Sequence, residues 1–318
     1  MSKSVSILIP VYNSEKYISK CLHSVFSQTY ANIEYIIVND ASQDNSIAII
    51  QDVLNEYPQR ESHVHLINHE KNQGIAKTRN TLLDHATGDY VYFVDSDDSI
   101  STDAVEILMR TAEKNNADIV RCNYREVKGD KIIPMNHEPI GIQESYLEQC
   151  LLGKNHMNSM WLLLIRRHIF TDFGLSFETD VNGCEDFLMT VKLFYHTNNI
   201  TDIPDCLYDY NLENATSITH NHRGFRSNAI AAANKIKLFL KEKGLFETYH
   251  QPLRQLMFTS KMHFLINKEI RDIDKYVKTF PESNNCYRQY NFTKKQRLLF
   301  FLAEKKAILL LKFICNFI

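Results

Sequence analysis

Three aspartates lie within four residues of one another in this 318-residue chain, directly after an apolar run. They are Asp95, Asp97 and Asp98, and the run Tyr90–Val94 before them predicts a buried strand. Carboxylates crowded at the end of a strand repel one another unless a cation lies between them. Hard oxygen ligands on a short turn are typical of Mg²⁺ or Mn²⁺, which also binds phosphate oxygens. The turn therefore predicts a divalent-cation site, with a solvated turn or helix cap as the alternative.

Polar side chains also follow the other apolar runs of the first hundred residues. The runs V-S-I-L-I-P-V, I-E-Y-I-I-V and V-H-L-I predict three more strands, and stretches with helical spacing separate them. Strands that alternate with helices indicate an α/β fold with a parallel sheet covered on both faces. Ligands bind beyond the carboxyl ends of such strands. We therefore expect the residues after these runs to lie at one edge of the sheet, with Asp40 crowded against the three aspartates. The residues at the ends of the first two runs, or just after them, include Pro10, Tyr12, Asn13 and Asp40.

The sequence also predicts the limits of the helices and turns that hold this edge of the sheet in place. Gly88 predicts a left-handed residue at the end of the third helix, and Gly129-Asp130 predicts a hairpin turn. The polar segment 211–224 is typical of a linker, and the chain beyond it has the composition of helices. The apolar spacing of the first part predicts helices over Ser14–Thr29, Asp44–Tyr57, Gly74–Thr87, Thr102–Asn116 and Glu185–Thr197.

Composition excludes several classes of protein. No two of the nine glycines are closer than nine positions, so neither G-x-G-x-x-G nor G-x-x-x-x-G-K-[ST] can be formed. A nucleotide would therefore be held by metal and carboxylates. The seven cysteines include no C-x-x-C pair, which is typical of reduced thiols in a cytoplasmic protein. The net charge of −2 argues against a nucleic-acid partner, and no apolar run approaches eighteen residues, so no membrane span is predicted.

The charge is divided unevenly at the predicted linker. Residues 1–222 hold 17 Lys and Arg against 31 Asp and Glu, a net of −14, whereas residues 223–318 hold 19 against 7, a net of +12. We predict a catalytic domain over 1–222, with halves 1–100 and 101–222, followed by a basic helical region over 223–318. The segment 293–318 mixes cations with apolar side chains, which favours either an anionic membrane surface or packing on the protein itself or on a second subunit of a homodimer.

Four motifs, in order and at matching spacing, resemble those of a family 2 glycosyltransferase of the GT-A fold. They are V-S-I-L-I-P-V-Y-N-S-E-K-Y-I, I-I-V-N-D-A-S-Q-D-N-S, N-Q-G-I-A-K-T-R-N and G-D-Y-V-Y-F-V-D-S-D-D. The resemblance is dense over the first hundred residues and continues more weakly to about residue 220. It implies a Rossmann-like, mostly parallel sheet covered by helices, with the C-terminal helices as an extension. It also implies an inverting enzyme that uses a nucleotide-activated sugar and Mn²⁺ or Mg²⁺.

The resemblance assigns the nucleotide-binding residues. Pro10, Tyr12 and Asp40 match the positions that hold the nucleobase, and Asn13 follows Tyr12 at the end of the first strand. Independently of the family, Tyr12 offers a ring for stacking, and Asp40 can accept a hydrogen bond from the imide N–H of uracil. Arg79, in T-R-N, matches the family arginine near the nucleotide, with a charge on the helix surface as the alternative.

The resemblance also assigns the metal and the catalytic base. Asp95 corresponds to the first acid of D-x-D, near the ribose and the metal, and Asp97 to the metal ligand that bridges to the pyrophosphate. Glu185-Asp186, in G-C-E-D-F-L-M, resembles the E-D motif, whose aspartate is the proposed base. Glu185 would orient Asp186 or bind the acceptor. The alternative is that both acids only favour the dipole at a helix start.

Two departures from the family pattern narrow the expected chemistry. The family often has W-x-K-L before the E-D motif, whereas here Trp161 is followed by three leucines, so a polar acceptor contact is lost. The Q-x-x-R-W motif of processive synthases is absent, which favours the addition of a single sugar. His220 and His222 fall in the predicted linker, where some GT-A enzymes bring a histidine toward the phosphates; exposed histidines without a ligand role are the alternative.

Together these features predict a metal-dependent, non-processive glycosyltransferase of bacterial type that acts in surface polysaccharide synthesis. We expect a UDP-sugar as donor and a saccharide or a polyprenyl-phosphate-linked molecule as acceptor. The predicted location is the cytoplasm, or the inner face of the cell membrane as a peripheral protein. The alternatives are a glycosyltransferase-like scaffold without turnover and a D-x-D phosphatase, whose motif usually follows the first strand rather than the fourth.

Overall fold

The computed structural model of the protein describes residues 3–137, 140, 144–181, 183–197, 199–214 and 222–315. Within these ranges nine strands form one sheet, in the order β3-β2-β1-β4-β8-β6-β9-β5, and β7 pairs with β6. The strands are β1 (Val5–Val11), β2 (Ile33–Asn39), β3 (Val64–Asn68), β4 (Tyr90–Phe93), β5 (Ser99–Ile100), β6 (Ile119–Lys128), β7 (Lys131–Met135), β8 (Leu163–Arg166) and β9 (Ile200–Asn211).

The first four strands form a parallel half-sheet, as predicted. β1 pairs in parallel with both β2 and β4, and β2 pairs in parallel with β3. All seven residues of β1 are buried, which requires that both faces of the sheet are covered. In the register between β1 and β2, Val11 lies opposite Asn39, so the polar residues that follow these strands meet at one edge.

The second half makes the sheet mixed. β8 lies between β4 and β6 and is antiparallel to both, whereas β9 runs parallel to β6 and antiparallel to β5. The predicted hairpin is confirmed, because β6 and β7 pair around Gly129 and Asp130. Gly129 adopts φ +55°, a left-handed conformation that glycine reaches without strain.

The five helices predicted in the first part of the chain are confirmed, each within its predicted range. The structure describes seven α-helices in this part, because α5 and α6 add to the five that were predicted: α1 (Ile18–Phe26), α2 (Ser46–Glu56), α3 (Ile75–His85), α4 (Ala104–Asn115), α5 (Glu144–Leu151), α6 (His168–Asp172) and α7 (Glu185–His196). Helices also make up the regular structure beyond the predicted linker. They are α8 (His222–Glu242), α9 (His250–Lys261), α10 (His263–Ile266), α11 (Ile273–Lys278), α12 (Lys294–Glu304) and α13 (Ile308–Cys315).

The role predicted for Gly88 is wrong. α3 ends at His85 with extended backbone at Ala86, so Gly88 does not cap the helix. Instead Gly88 lies against β1 and donates its N–H to the hydroxyl of Ser6 at 2.9 Å. A Cβ at position 88 would come within 2.7 Å of both the backbone nitrogen and Oγ of Ser6. The glycine is therefore required by the close approach of two backbone segments rather than by a left-handed φ.

Two hydrophobic cores hold the described chain together. The first surrounds the sheet and includes Leu240 of α8 together with Leu253 and Met257 of α9. The second begins at Phe258, the next residue of α9, and continues to Cys315 of α13. α9 therefore contributes to both cores. None of the described helices combines the length and the apolar character needed to cross a bilayer.

The predicted linker is structured at both of its ends. β9 ends at Asn211, the backbone turns over residues 212–214, and α8 begins at His222. His222 therefore does not lie in a loop, which corrects that prediction. His220 falls outside the described residues.

Candidate active site

The acidic turn after β4 is held in place by β9. Tyr208 donates its hydroxyl to Oδ2 of Asp98 at 2.8 Å and accepts the backbone N–H of Asp95 at 3.1 Å. The backbone N–H of Asn211 donates to Oδ1 of Asp98 at 2.7 Å. Burial, followed by the charges of Asp97 and Asp95, raises the pKa of Asp98 well above its usual range. Asp98 thus anchors the turn through both of its carboxylate oxygens.

Asp97 lies in the same turn, next to the segment that follows β9. The side chain of Asn214 donates to Oδ2 of Asp97 at 2.7 Å, and that of Asn211 donates to its backbone oxygen at 3.1 Å. Burial, and then the charge of Asp95, raises the pKa of Asp97. An ionised Asp97 is therefore costly here unless a positive charge approaches it.

These carboxylates fit a divalent cation that is shared with a ligand. Across the described part of the chain, no three His, Cys, Asp or Glu side chains converge into a metal site of their own. Mg²⁺ and Mn²⁺ bound beside phosphates use only one or two carboxylates, and phosphate oxygens and water supply the other ligands. Asp97 and Asp95 match that donor set, because they are two neighbouring carboxylates whose charges repel.

Arg79 of α3 joins the acidic turn to the start of α7. Its guanidinium donates through Nη2 to Asp95 at 3.2 Å and through Nη1 to Glu185 at 3.0 Å, and Nη1 also donates to Asp186. The guanidinium carbon lies 5.7 Å from the centre of the Phe177 ring. Arg79 is only 4% exposed, so it is not a charge on the helix surface. One cation thus links carboxylates from two distant segments.

Glu185 and Asp186 form the first turn of α7, where the helix dipole favours negative charge. Glu185 is buried, whereas the side chain of Asp186 is 21% exposed and so reaches the surface of the site. Burial raises the pKa of Asp186, and the charge of Arg79 opposes this effect. The negative charges of Glu185 and Asp95 act in the same direction as burial, so the pKa stays raised.

Asp40 belongs to a different set of contacts. Its carboxylate accepts the backbone N–H groups of Gln73 and Gly74, each at 2.8 Å, and lies 2.8 Å from Nδ1 of His69. Asp40 therefore ties the end of β2 to the loop that begins α3, and Gly74 enters that helix with φ +84°. None of its described hydrogen bonds joins it to the acidic turn.

The first strand ends with an exposed aromatic ring. Pro10 is buried within β1, whereas Tyr12 is 49% exposed just beyond it. Asn13 follows with φ +49°, and its side-chain oxygen accepts the backbone N–H of Gln43 at 2.8 Å. Ser14 then connects this loop to the acidic turn through a hydroxyl contact of 2.6 Å with Ser96. Tyr12 therefore presents its ring at the carboxyl edge of the sheet.

An aromatic cluster packs around Tyr208, which contacts the acidic turn. Trp161 stacks on Tyr208 and Tyr210 of β9, with ring centres 4.6 and 5.4 Å apart, and Tyr124 of β6 meets Trp161 edge to face at 5.1 Å. Because Tyr208 also binds Asp98, the cluster connects the packing of β9 to the position of the carboxylates. Sequence reasoning identified Trp161 but missed Tyr208, Asn211 and Asn214, since no local pattern shows which side chains of β9 face the turn.

Comparison with known proteins decides the family. Residues 6–174 match the family described as Glycosyl transferase family 2, which is more than half of the chain. The chain belongs to glycosyltransferase family 2. It is a glycosyltransferase, and the phosphatase alternative is set aside.

Relatives of the chain carry the names of glycosyltransferases. It is 30% identical over 260 residues to EpsH of Bacillus subtilis, covering 79% of this chain and 73% of EpsH. It is 27% identical over 289 residues to YibD of Escherichia coli, covering 88% of this chain and 81% of that protein.

Solved structures agree on the fold. Residues 1–349 of TarS from Staphylococcus aureus in complex with UDP-GlcNAc superpose with a TM-score of 0.69 at 22% identity, covering 96% of this chain and 88% of the other. The mannosyltransferase PcManGT from Pyrobaculum calidifontis in complex with GDP-Man and Mn²⁺ superposes with a TM-score of 0.55 at 17% identity, covering 98% and 81%. The similarity confirms the GT-A fold for the family 2 chain described here.

Proposed function

We propose that this glycosyltransferase transfers one sugar from a UDP-sugar to an acceptor hydroxyl, with inversion at the anomeric carbon. The observation that carries the proposal is the juxtaposition of the acidic turn and the start of α7 through Arg79. A donor-binding group and a candidate base are thereby held within the span of one guanidinium. The UDP-GlcNAc complex of the similar TarS structure supports the choice of donor.

The donor is assigned to the first hundred residues. The exposed ring of Tyr12 stacks on the nucleobase, and Pro10 and Asn13 shape the loop that carries it. Asp40 accepts the imide N–H through the lone pair of Oδ2 that its contacts to His69, Gln73 and Gly74 leave open. Arg79 supports the donor site indirectly, because its buried guanidinium fixes Asp95 beside the ribose.

Asp97 and Asp95 would hold Mn²⁺ or Mg²⁺ together with the diphosphate. The ion, when bound, supplies positive charge to the leaving nucleoside diphosphate. The protein supplies the arrangement around it. Asn214 orients Asp97, and Tyr208 fixes the turn through Asp98, so that the two ligand carboxylates are placed before the donor arrives.

Asp186 is the proposed base. Inversion requires a carboxylate that takes the proton of the acceptor hydroxyl as its oxygen attacks the sugar from the face opposite the leaving group. Arg79 binds both acids, but Asp186 is partly exposed and therefore reachable by the acceptor, whereas Glu185 is buried. Glu185 is thus a positioning residue, and the acceptor binds against residues 101–222.

The acceptor is a saccharide, free or linked to a polyprenyl phosphate, in the synthesis of a surface polysaccharide. The E. coli and B. subtilis relatives are named only as glycosyltransferases, so the acceptor is argued from TarS, which is named as a poly(ribitol-phosphate) β-N-acetylglucosaminyltransferase. The present chain covers 35% of that protein. We place the enzyme in the cytoplasm, at the inner face of the membrane.

The test is a donor panel with product analysis. UDP-GlcNAc, UDP-glucose, UDP-galactose and GDP-mannose are each incubated with the full chain and Mn²⁺, and release of the nucleotide is followed with and without saccharide acceptors. We expect release from a UDP-sugar, and loss of transfer of 10²-fold or more in Asp186→Asn. The matched control is Asp84→Asn, at an exposed position of α3. No release from any donor, with UDP binding intact, would instead favour a scaffold without turnover.

A further inference from the structure

We propose that α12 and α13 form a docking surface for an anionic lipid bilayer. This α12–α13 face consists of the exposed apolar residues of the two helices and the cations among them. The proposal rests on these helices alone and does not depend on the assignment of the donor. Its residues are Lys294, Lys295, Arg297, Leu298, Phe301, Lys305, Lys306, Leu309, Leu310, Lys312 and Phe313.

Large apolar side chains are exposed on this face. Leu309 is 87% exposed and Phe313 62%, and they lie four residues apart on one side of α13. Leu298 and Phe301 are 45% and 44% exposed and share one side of α12. The opposite sides of both helices hold the second hydrophobic core. The exposure is therefore not a sign of loose packing, and apolar surface of this kind marks an interaction site.

Cations lie among these apolar side chains. Residues 294–315 hold six Lys and Arg against one Glu, a net of +5. At 100° per residue, Lys294 and Lys305 fall within about 40° of Leu298 around α12. Among the described residues, Lys294, Lys295, Lys305 and Lys306 form no ion pair, although Lys305 lies 6.0 Å from the ring centre of Phe301.

The start of α12 adds to this positive charge. Lys294, Lys295 and Arg297 occupy its first turn, which contains no acidic residue. The helix dipole disfavours cations at this end, so the fold itself gains nothing from placing them there. The helix begins instead through a capping box between Thr293 and Gln296. Three cations at an end that repels them are explained by an anionic partner outside the fold.

A lipid surface fits this face better than a second copy of the chain. In a twofold interface the same patch meets itself, so the unpaired lysines of one copy would face those of the other. Lysine is also depleted in protein interfaces, whereas exposed Leu and Phe flanked by Lys and Arg are typical of helices that lie in a bilayer interface. Each Lys or Arg near an anionic leaflet strengthens the attraction.

The test is co-sedimentation of the full chain with vesicles. Vesicles of phosphatidylcholine with 30 mol% phosphatidylglycerol are compared with pure phosphatidylcholine at 50 and 500 mM NaCl. We expect binding to the anionic vesicles at low salt and at least a tenfold weaker partition at high salt. If the chain stays in the supernatant with anionic vesicles at low salt, the proposal is overturned.

Two variants separate the contribution of the cations from that of the exposed apolar side chains. The triple variant Lys294→Gln, Lys295→Gln, Lys305→Gln is expected to lower partition by about a hundredfold. Its control, Lys128→Gln, Lys131→Gln, Lys154→Gln, removes three exposed lysines elsewhere and is expected to bind like the parent. The variant Leu309→Ser, Phe313→Ser is expected to lose binding. Equal losses in the triple variant and its control would show general charge attraction and contradict the docking surface.

Further readouts separate this proposal from its rivals. Because the changed side chains are exposed, we expect unchanged circular dichroism spectra and melting temperatures. Light scattering measures the oligomeric state: a dimer that becomes a monomer in Leu309→Ser, Phe313→Ser would identify a second copy as the occupant and overturn the proposal. UDP-sugar hydrolysis in vesicle-free buffer should equal that of the parent in every variant, so failure of vesicle binding is distinguishable from failure of the donor assignment.

Discussion

The guanidinium of Arg79 and the carboxylate of Asp186, 107 residues apart in the chain, are joined by a hydrogen bond from Nη1. Through Nη2 the same guanidinium reaches Asp95 in the acidic turn, and α3 places it at 4% exposure between the two. Glu185 completes the set. Because three carboxylates share one buried cation, the geometry of the donor side and of the proposed base depends on a single side chain.

Removal of the guanidinium of Arg79 should destabilise the fold. Arg79→Met leaves Asp95, Glu185 and Asp186 without compensation, and we expect a loss of about 3–5 kcal/mol in the free energy of unfolding. Arg79→Lys keeps the charge but cannot reach three acceptors in fixed geometry, so a smaller loss is expected. Urea unfolding measures both. Lys77→Met, at an exposed position of the same helix, is the control, and an Arg79→Met variant as stable as this control would contradict the network.

Removal of the metal should remove nucleotide binding. UDP with Mn²⁺ is expected to raise the melting temperature, and EDTA is expected to abolish this rise. Asp97→Asn should show no rise even with Mn²⁺, because one ligand carboxylate is lost. Differential scanning fluorimetry measures all three conditions, with Asp84→Asn as the control.

Asp97→Asn should be more stable than the parent when no metal is present. Asp97→Asn removes a half-buried charge that Asp95 repels, while the amide oxygen can still accept from Asn214. A higher urea midpoint in EDTA, combined with lost UDP binding, would separate the metal role from a structural one. A lower midpoint would contradict the electrostatic account of the turn.

Substitution at Gly88 tests the close approach to β1. In Gly88→Ala the new Cβ meets two atoms of Ser6 at 2.7 Å, and we expect a loss of about 1–3 kcal/mol in the free energy of unfolding. Adding Ser6→Ala removes the clash with Oγ but not that with the backbone nitrogen, so stability should recover only in part. Unfolding of Gly88→Ala at the midpoint of the parent would refute the steric argument.

The contribution of His137 to stability should fall in mild acid. Burial, and then the charges of Arg121 and His156, lowers the pKa of His137 to about 4. At His137 the unfolded chain therefore binds more protons than the folded chain between pH 6.5 and 4, so the contribution of this residue to the free energy of unfolding decreases as the pH falls through this range. Urea unfolding at several pH values should show that the stability of the parent relative to His137→Gln decreases as the pH falls from 6.5 to 4. His65→Gln, at an exposed position, is the control and should retain the slope of the parent.

The spacing of apolar residues is sufficient to predict the parallel half of the sheet, to which we assign the donor. The runs that became β1, β2, β3 and β4 are apolar and alternate with helices, so their order and direction follow from short connections. β8 could not be predicted in the same way. Its run L-L-I-R is too short for periodicity to distinguish a strand from part of a buried helix, and its place between β4 and β6 is set by pairing across more than 40 residues.

The candidate site shows the same difference between residues that local motifs identify and contacts that depend on long-range packing. Asp95, Asp97 and Asp186 were identified from motifs, but their connection through Arg79 depends on α3 and α7 meeting at a distance in sequence of about one hundred residues. Arg79 has helical neighbours on either side and no local sign of burial. The contacts of Asn214 and Tyr208 with the turn likewise require β9 to be in place, which no pattern within β9 specifies.

The passage of α9 from one core to the other has a consequence for any shortened form of the enzyme. Met257 packs with the sheet and Phe258 with the helices that follow, so the change in packing falls 35 residues beyond the change in charge at residue 222. A fragment that stops at residue 222 would carry every proposed catalytic group and yet lack α8 and α9. Leu240 and Leu253 would no longer cover their side of the sheet, and the exposed surface would favour aggregation. A boundary directly after α9 would in turn expose Phe258, which packs in the second core, so soluble expression calls for a chain that keeps both cores.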